Sequence, residues 1–334
     1  MNMDLARKPT PATPAVPATA ASEEVEAVVE RVDDIASGIR LITLSAREGG
    51  ALPRWEPGAH VDLLLDAHLE RQYSLCGKPE DAHHWQVAVL RDTSSRGGSE
   101  WLHTRLRAGD VLRARTPRNN FPLVDAENHI FVAGGIGITP LLPMIRQLER
   151  QGKPWHLLYV GRTLASMAFV DELSAYGSRA TISAKDRDGP FDLKQLLGTP
   201  QANTVVYCCG PERLIAGVES ACAAWPADTL HVEHFRAKSG ALDGDKDAFE
   251  VYLTKAGISV PIRAGQSILD ALDQVDIYVP RSCNEGTCGT CVVKVADGIP
   301  DHRDSFLMGK KRRENKHVCL CCSRSLTPVL ALEL

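Results

Sequence analysis

The stretch RSCNEGTCGTCVVKV, residues 281–295, sets Cys283, Cys288 and Cys291 in the pattern C-x4-C-x2-C. Thiolates are soft ligands for iron and zinc, and this spacing is that of loops that hold a [2Fe–2S] cluster. A cluster with bridging sulfides needs a loop that wraps it and turns backbone N–H groups towards sulfur. Gly286 and Gly289, with the small Thr287 and Thr290, permit that approach. The rival metal is zinc, whose ribbons pair two C-x2-C knuckles. Here the distal group, Cys319, Cys321 and Cys322, reads C-x-C-C and makes a poor second knuckle. On a strand, neighbouring side chains point to opposite faces, so Cys319 and Cys321 share a face and Cys322 opposes them. Periodicity leaves both Cys319 and Cys321 open as the fourth ligand.

Two glycine turns have the chemistry of phosphate sites. In AGGIGITP, residues 133–140, Gly134, Gly135 and Gly137 let the backbone approach a pyrophosphate, with Thr139 fitting as N-cap and Pro140 as first helical residue. A helix N-terminus offers free N–H groups and a favourable dipole to an anion. Pro140 stands where the last glycine of G-x-G-x-x-G would be. Cys209, Gly210 and Pro211 form a second strand-end turn with Pro211 opening a helix. The bland alternatives are tight connections without ligand and, for Cys209, a small buried side chain. Upstream, RQYS offers Arg71 for a phosphate, Tyr73 for stacking on a planar ring and Ser74 for a hydrogen bond, the ordinary alternatives being a surface Arg, a core Tyr and a turn Ser. Gly97, Gly98 and Ser99 suit a further phosphate, the alternative being a plain serine N-cap.

The elements that must position these residues fall into three groups. Six β-like runs between residues 24 and 117, interrupted by the helical GSEWLHTRLRAG, predict a small antiparallel β-barrel. From residue 129 five strands alternate with helices, which predicts a parallel α/β sheet covered on both faces. The last part opens with a hairpin-like segment and a helix at SILDALDQV, capped by Ser267 with Asp270, then runs through the cysteine loop to the strand PVLALEL. The expected divisions are a disordered tail at 1–23, a barrel at 24–122, an α/β domain at 123–235, a Gly- and charge-rich linker at 236–247 and a cluster domain at 248–334. With 334 residues, 44% of them hydrophobic, and a net charge of −4, the chain suits a multidomain globular protein and gives no sign of nucleic-acid or membrane binding. Six of its ten cysteines lie between 283 and 322, which argues for a metal or cluster site in a reducing compartment and hence for a cytoplasmic location.

In this order, RQYSL, RDTSSRGGS, PRNNFPL, AGGIGITP, YVGRT, CCGPERLI, HFRA and the cysteine segments CNEGTCGTC and CCSRS resemble the phthalate dioxygenase reductase family, which includes the vanillate O-demethylase reductases. The resemblance spans residues 24–334. It implies an FMN-binding barrel, an NAD-binding domain and a plant-type (β-grasp) ferredoxin domain, with NADH as donor. It also implies roles for matching positions. Arg71 and Gly97–Gly98–Ser99 would hold the FMN phosphate, while Tyr73 and Ser74 would lie against the isoalloxazine. The backbone of Val89, Leu90 and Arg91 would flank the flavin, and Thr139 and Phe235 would approach it from the NAD domain. Gly135 and Gly137 would face the pyrophosphate, with Pro140, Gly210 and Pro211 in the same turns, and Cys209 near the nicotinamide. Ser74, Cys209 and Phe235 would thus surround the reacting rings. Family members carry the fourth cluster ligand in a C-x-S-R segment, which points to Cys321, 29 residues beyond Cys291.

The implied activity is passage of electrons from NADH through FMN and the cluster to a separate Rieske-type non-haem iron oxygenase acting on aromatic compounds. The exposed edge around Cys283–Cys291 is expected to meet that acceptor. Arg162, which suits an adenosine 2′-phosphate, keeps NADPH open, because no acidic residue immediately follows its strand. The competing readings are a diiron oxygenase or other electron-transfer protein as acceptor, and a cluster- or zinc-binding sensor. The basic run GKKRRENK reads as either a solvated loop or a docking patch.

Overall fold

Alternating apolar residues in the first hundred positions close a sheet on itself. In the computed structural model, which describes residues 23–66, 69–92, 97–238, 240, 243, 244 and 247–334, this part contains β1 (Glu24–Ala36), β2 (Ile39–Ala46), β3 (Ala59–Asp66), β4 (Leu69–Ser74), β5 (His84–Leu90), α1 (Gly98–Thr104), β6 (Val111–Arg115) and the short β7 (Arg118–Asn119). The strand order is β4-β3-β6-β1-β2-β5, with β7 paired to β3. A bridge between Leu75 and Val87 joins the two ends of that order and closes the barrel. Its inside is filled by Val29, Ile42, Leu44, Val61, Leu63, Trp85 and Val87, with Leu102 of α1 plugging one end. Helix α1 is shorter than expected, stopping at Thr104, whose hydroxyl turns back to the Glu100 carbonyl at 2.8 Å.

The second part follows the predicted alternation through β8 (Asn128–Gly134), α2 (Ile138–Gln151), β9 (Trp155–Gly161), α3 (Val170–Ser174), β10 (Ala180–Ala184), α4 (Lys185–Asp188), α5 (Leu193–Leu197), β11 (Thr204–Cys209), α6 (Glu212–Ala221) and β12 (Leu230–Glu233). All five strands are parallel, in the order β10-β9-β8-β11-β12. Both faces are buried, so alternate residues serve two cores. Phe131, Leu157, Tyr159 and Tyr207 pack with α2, while Ile130, Val132, Leu158 and Val206 pack with α6. Tyr207 ties this sheet to the barrel, its hydroxyl donating to the Pro122 carbonyl at 2.8 Å and accepting from Val124 N–H at 2.7 Å.

The third part holds β13 (Phe249–Leu253), β14 (Ile258–Ile262), α7 (Ile268–Asp273), β15 (Val292–Asp297), β16 (Pro300–Asp301), α8 (Gly309–Arg313), β17 (His317–Cys319), β18 (Arg324–Ser325) and β19 (Val329–Leu332). Its mixed sheet runs β14-β13-β19-β15-β17, and α7 packs Ile268, Leu269 and Leu272 into the core beneath it. Ser267 caps α7 as expected, its Oγ accepting from Asp270 N–H at 3.0 Å. Residues 1–22 of the expected tail, residues 93–96 of RDTSSRGGS and linker residues 239, 241, 242, 245 and 246 lie outside the described residues. Among the described residues no helix is long and apolar enough to cross a membrane.

Candidate functional site

The cysteine loop follows α7 and ends where β15 begins. Gly286 and Gly289 both adopt φ of 72°, a left-handed conformation that side chains resist. A Cβ on Gly286 would stand 2.5 Å from Cys322 Sγ and 2.8 Å from Asp304 Cα, and one on Gly289 would strike the Phe306 ring. The loop turns its amides onto its own sulfurs. Glu285 N–H and Thr287 N–H point at Cys283 Sγ, each at 3.4 Å, and Thr290 N–H at Cys288 Sγ at 3.5 Å. Hydrogen bonds from Cys288 and then Cys321 hold the Cys283 thiol far below its usual range, and bonds from Cys319 and then Cys321 lower Cys291. A glycine cradle with amides turned onto sulfur fits a thiolate-ligated cluster.

The distal cysteines depart from the strand reading. Strand β17 ends at Cys319, and residues 320–322 form a turn, with Leu320 N–H on the Cys291 carbonyl at 3.2 Å. Period-two alternation therefore does not govern Cys321 or Cys322. The turn brings the Cys321 sulfur within hydrogen-bonding reach of both Cys283 and Cys291. Cys319 is fully buried and reaches Cys291, while Cys322 sits beside Gly286.

On the parallel sheet the order of strand addition reverses between β8 and β11, the crevice where open α/β sheets bind ligands. Both glycine turns lie there and pack on each other. A Cβ on Gly137 would overlap the Cys209 carbonyl, and one on Gly134 would press on Leu214 and Pro211. The helix start differs from the expected one. Residues Gly135–Gly137 form a 3-10 turn that feeds directly into α2, so Gly137 is the N-cap. Thr139 is inside the first turn, its hydroxyl donating to the Ile136 carbonyl at 2.9 Å, and Pro140 follows it. Pro211 is the N-cap of α6. The sequence reading missed Tyr159, whose hydroxyl holds the Gly135 carbonyl at 3.0 Å.

In the barrel, Arg71 lies against Gly98 so closely that a Cβ there would enter its side chain. Gly97, with φ of 92°, is the N-cap of α1. Ser99 is not a cap, since its Oγ accepts from Asp92 N–H at 3.1 Å. Arg71 and Tyr73 alternate with Gln72 and Ser74 along β4, and Tyr73 packs against the barrel core, where burial pushes its phenol up. Beside it, Val89 and Arg91 offer less backbone than expected. The Val89 carbonyl is bonded to His103 Nε2 at 2.9 Å, Arg91 N–H donates to Gly38, and the Arg91 guanidinium makes two 2.8 Å bonds to Glu100.

Residues 251–326 match the model of the 2Fe-2S iron-sulfur cluster binding domain. The phenoxybenzoate dioxygenase subunit beta of Ectopseudomonas oleovorans is 38% identical over 316 residues, covering 94% of this chain and 97% of that protein. The solved phthalate dioxygenase reductase, described as a modular structure for electron transfer from pyridine nucleotides to [2Fe–2S], is 34% identical with a TM-score of 0.69, covering 93% of this chain and 98% of that one. The chain belongs to the phthalate dioxygenase reductase family. It is an iron–sulfur flavoprotein reductase that takes electrons from NADH and works through FMN and a [2Fe–2S] cluster. A self-sufficient type IV cytochrome P450 monooxygenase is also similar, at 43% identity and TM-score 0.85, and this chain spans 41% of it.

In this reductase the cysteine loop is covered on one side and open on another, with Asn284 exposed and Cys283 half-buried. Cys288 and Cys291 are buried, and Asn120 of the barrel domain donates to the Cys288 carbonyl at 2.8 Å. Its covered side is the one that polar barrel side chains bind. His60 of β3, opposite Ser74 in the β3–β4 register, is also buried here, its pKa lowered to about 4 by burial and then by Arg118. The basic run forms α8, where Arg312 donates to the carbonyls of Asp304 and His302 and so braces the segment behind Gly286.

Two side chains near the NAD crevice were missed from the sequence. Asp186 N–H, in α4, donates to the Arg162 carbonyl at 3.1 Å, so the helix that follows β10 brings an acidic residue beside Arg162. Glu233 pairs across from Cys209, with its Oε2 buried and without a hydrogen-bond partner among the described residues. Burial pushes Glu233 up to about 8 and the fully buried Cys209 thiol well above its range. A carboxylate in a strand core, as in HVEHF, was the available signal. A folded-state pKa above the unfolded one means that unfolded chains lose the proton first. Stability contributed by Glu233 is therefore full below about pH 4.5 and declines as pH rises towards about 8. Glu233→Gln is expected to flatten that decline in urea titrations run across this window.

The Arg71–Gly98 contact leads to a second expectation. Gly98→Val should displace the guanidinium and weaken FMN binding about tenfold or more, the scale of one charge-assisted hydrogen bond. Flavin fluorescence titration of the apoprotein measures it, and unchanged affinity would remove Arg71 from the phosphate site.

Proposed function

We propose that this reductase delivers electrons to a separate Rieske-type non-haem iron oxygenase of an aromatic dioxygenase or demethylase system, in the cytoplasm. The observation that carries the relay is the seating of the cysteine loop on the flavin barrel, with Asn120 holding the Cys288 carbonyl. FMN supplies the exchange of a two-electron donor for one-electron steps. The protein's own residues hold and align the groups. Cys283, Cys288, Cys291 and Cys321 are the cluster ligands, supported by the reach of the Cys321 sulfur to the first and third. Arg71 with Gly97, Gly98 and Ser99 binds the FMN phosphate, and Tyr73 and Ser74 line the ring. Gly135 and Gly137 take the pyrophosphate, while Cys209 and the exposed Phe235 flank the nicotinamide. Domain limits of 24–122, 123–235 and 248–334 agree with sheets that end at Asn119, Glu233 and Leu332. The ten cysteines, all free thiols, support a reducing compartment.

The similar protein named as a dioxygenase subunit supports an oxygenase as partner. A haem acceptor is the second reading, favoured by the likeness to the self-sufficient P450. Anaerobic NADH should bleach both flavin and cluster absorption of the purified protein. Reconstitution with a purified Rieske oxygenase should then give product formation coupled to NADH use. Turnover with a P450 haem domain and none with any Rieske component would favour the second reading.

A further inference from the structure

Asp62, in the middle of β3, has no side-chain exposure. Its carboxylate accepts from Gln72 Nε2 at 2.9 Å and from Arg118 Nη2, and Arg115 Nε lies 4.0 Å away. Both direct partners also reach into the cluster domain. The Gln72 amide is 3.3 Å from Ser282 Oγ, and Arg118 Nη1 donates to Thr290 Oγ1 at 2.6 Å. One buried carboxylate thereby anchors two side chains that grip the cysteine loop just before Cys283 and just before Cys291.

A buried carboxylate is costly to desolvate, and apolar residues of equal volume commonly stabilise a core as well or better. Such a pair is better explained by the arrangement it specifies. The register supports this. Asp62 pairs with Gln72, and two residues along the same strands His60 pairs with Ser74, the residue assigned to the flavin ring. The sheet that presents the flavin therefore also carries the grip on the cluster loop. Chemistry at the far end adds a second link. Thr290 Oγ1 lies 3.1 Å from Cys288 Sγ. With Arg118 donating to that oxygen, the Thr290 hydroxyl proton is free to point at sulfur. Hydrogen bonds to sulfur tune a cluster's potential.

We infer that Asp62, Gln72 and Arg118 are positioning residues that hold the cluster loop on the flavin barrel at electron-transfer range, and that Arg118 sets the Thr290-to-Cys288 hydrogen bond. The inference rests on the relay reading and deepens it: each electron the oxidised cluster gains is one of the two that NADH delivers to FMN.

The test uses the full-length holoprotein in anaerobic stopped flow, following flavin and cluster bleaching separately, with redox titration of the cluster. In Arg118→Ala, flavin reduction by NADH should be unchanged, and cluster reduction should slow about tenfold or more, the effect of losing one charge-assisted hydrogen bond. Gln72→Leu should show the same split more weakly, and Arg118→Lys should restore part of the rate. The cluster potential should fall in Arg118→Ala and in Thr290→Val, and the double variant should fall no further than either, because both act through one hydrogen bond. Cluster reduction at the wild-type rate in Arg118→Ala overturns the inference. So does a parallel loss of both rates in Arg118→Ala and Gln72→Leu, which would mark these residues as supports of the barrel alone. Failure of NADH to bleach the wild-type cluster at all would instead sink the relay reading itself.

Discussion

Cys321→Ser is expected to lose the [2Fe–2S] cluster, with iron falling from about two per chain towards none, while Cys319→Ser and Cys322→Ser keep it. A serine oxygen is a hard ligand where the irons need a soft thiolate. Of the three distal cysteines, Cys321 is the one whose sulfur reaches both Cys283 and Cys291. Cys319 is wholly buried in the apolar core of the last domain. Placing a hydroxyl there should cost about 1–3 kcal/mol of stability, seen as a lower denaturation midpoint with the visible spectrum intact. Cys322 packs against Gly286, so its serine variant should change the spectrum little. Iron analysis and visible absorption of the three variants decide the matter. A stable, correctly ligated cluster in Cys321→Ser would overturn the assignment.

Truncation after residue 240 is expected to leave NADH-dependent ferricyanide reduction intact and to abolish transfer to one-electron protein acceptors. The cores justify the cut. Those of the barrel and the parallel sheet contain no residue beyond Val232, and that of the last domain begins at Phe249. The surface uncovered includes Gln72, Arg118 and Asn120, which water can solvate in place of the cluster loop. The shortened protein should therefore fold and bind FMN. Comparing ferricyanide and protein-acceptor rates for the two lengths is sufficient. Persistence of protein reduction would take the cluster off the main route.

The seating of the loop on the barrel also limits where an acceptor approaches. Its barrel side is occupied by Asn120 and Arg118. An oxygenase must reach the cluster from another side, or the domain must leave its seat.

The sequence alone determined the architecture and the three loop cysteines. Strand and helix periods are local, since burial of one face imprints a spacing of two or 3.6 residues on the chain, and C-x4-C-x2-C, AGGIGITP and CGP are contiguous. Where a residue's role depends on a partner far along the chain, local spacing was silent or misleading. Thr139 seemed a cap until the 3-10 turn before α2 took that place. Cys319 and Cys321 were inseparable by strand alternation, and a turn at 320–322 made alternation irrelevant. The clasp joins Asp62 to Thr290 through Arg118, across more than 200 positions of chain. Only tertiary structure could decide it, because a buried carboxylate in a strand looks like any exposed one until the packing that removes its water is known.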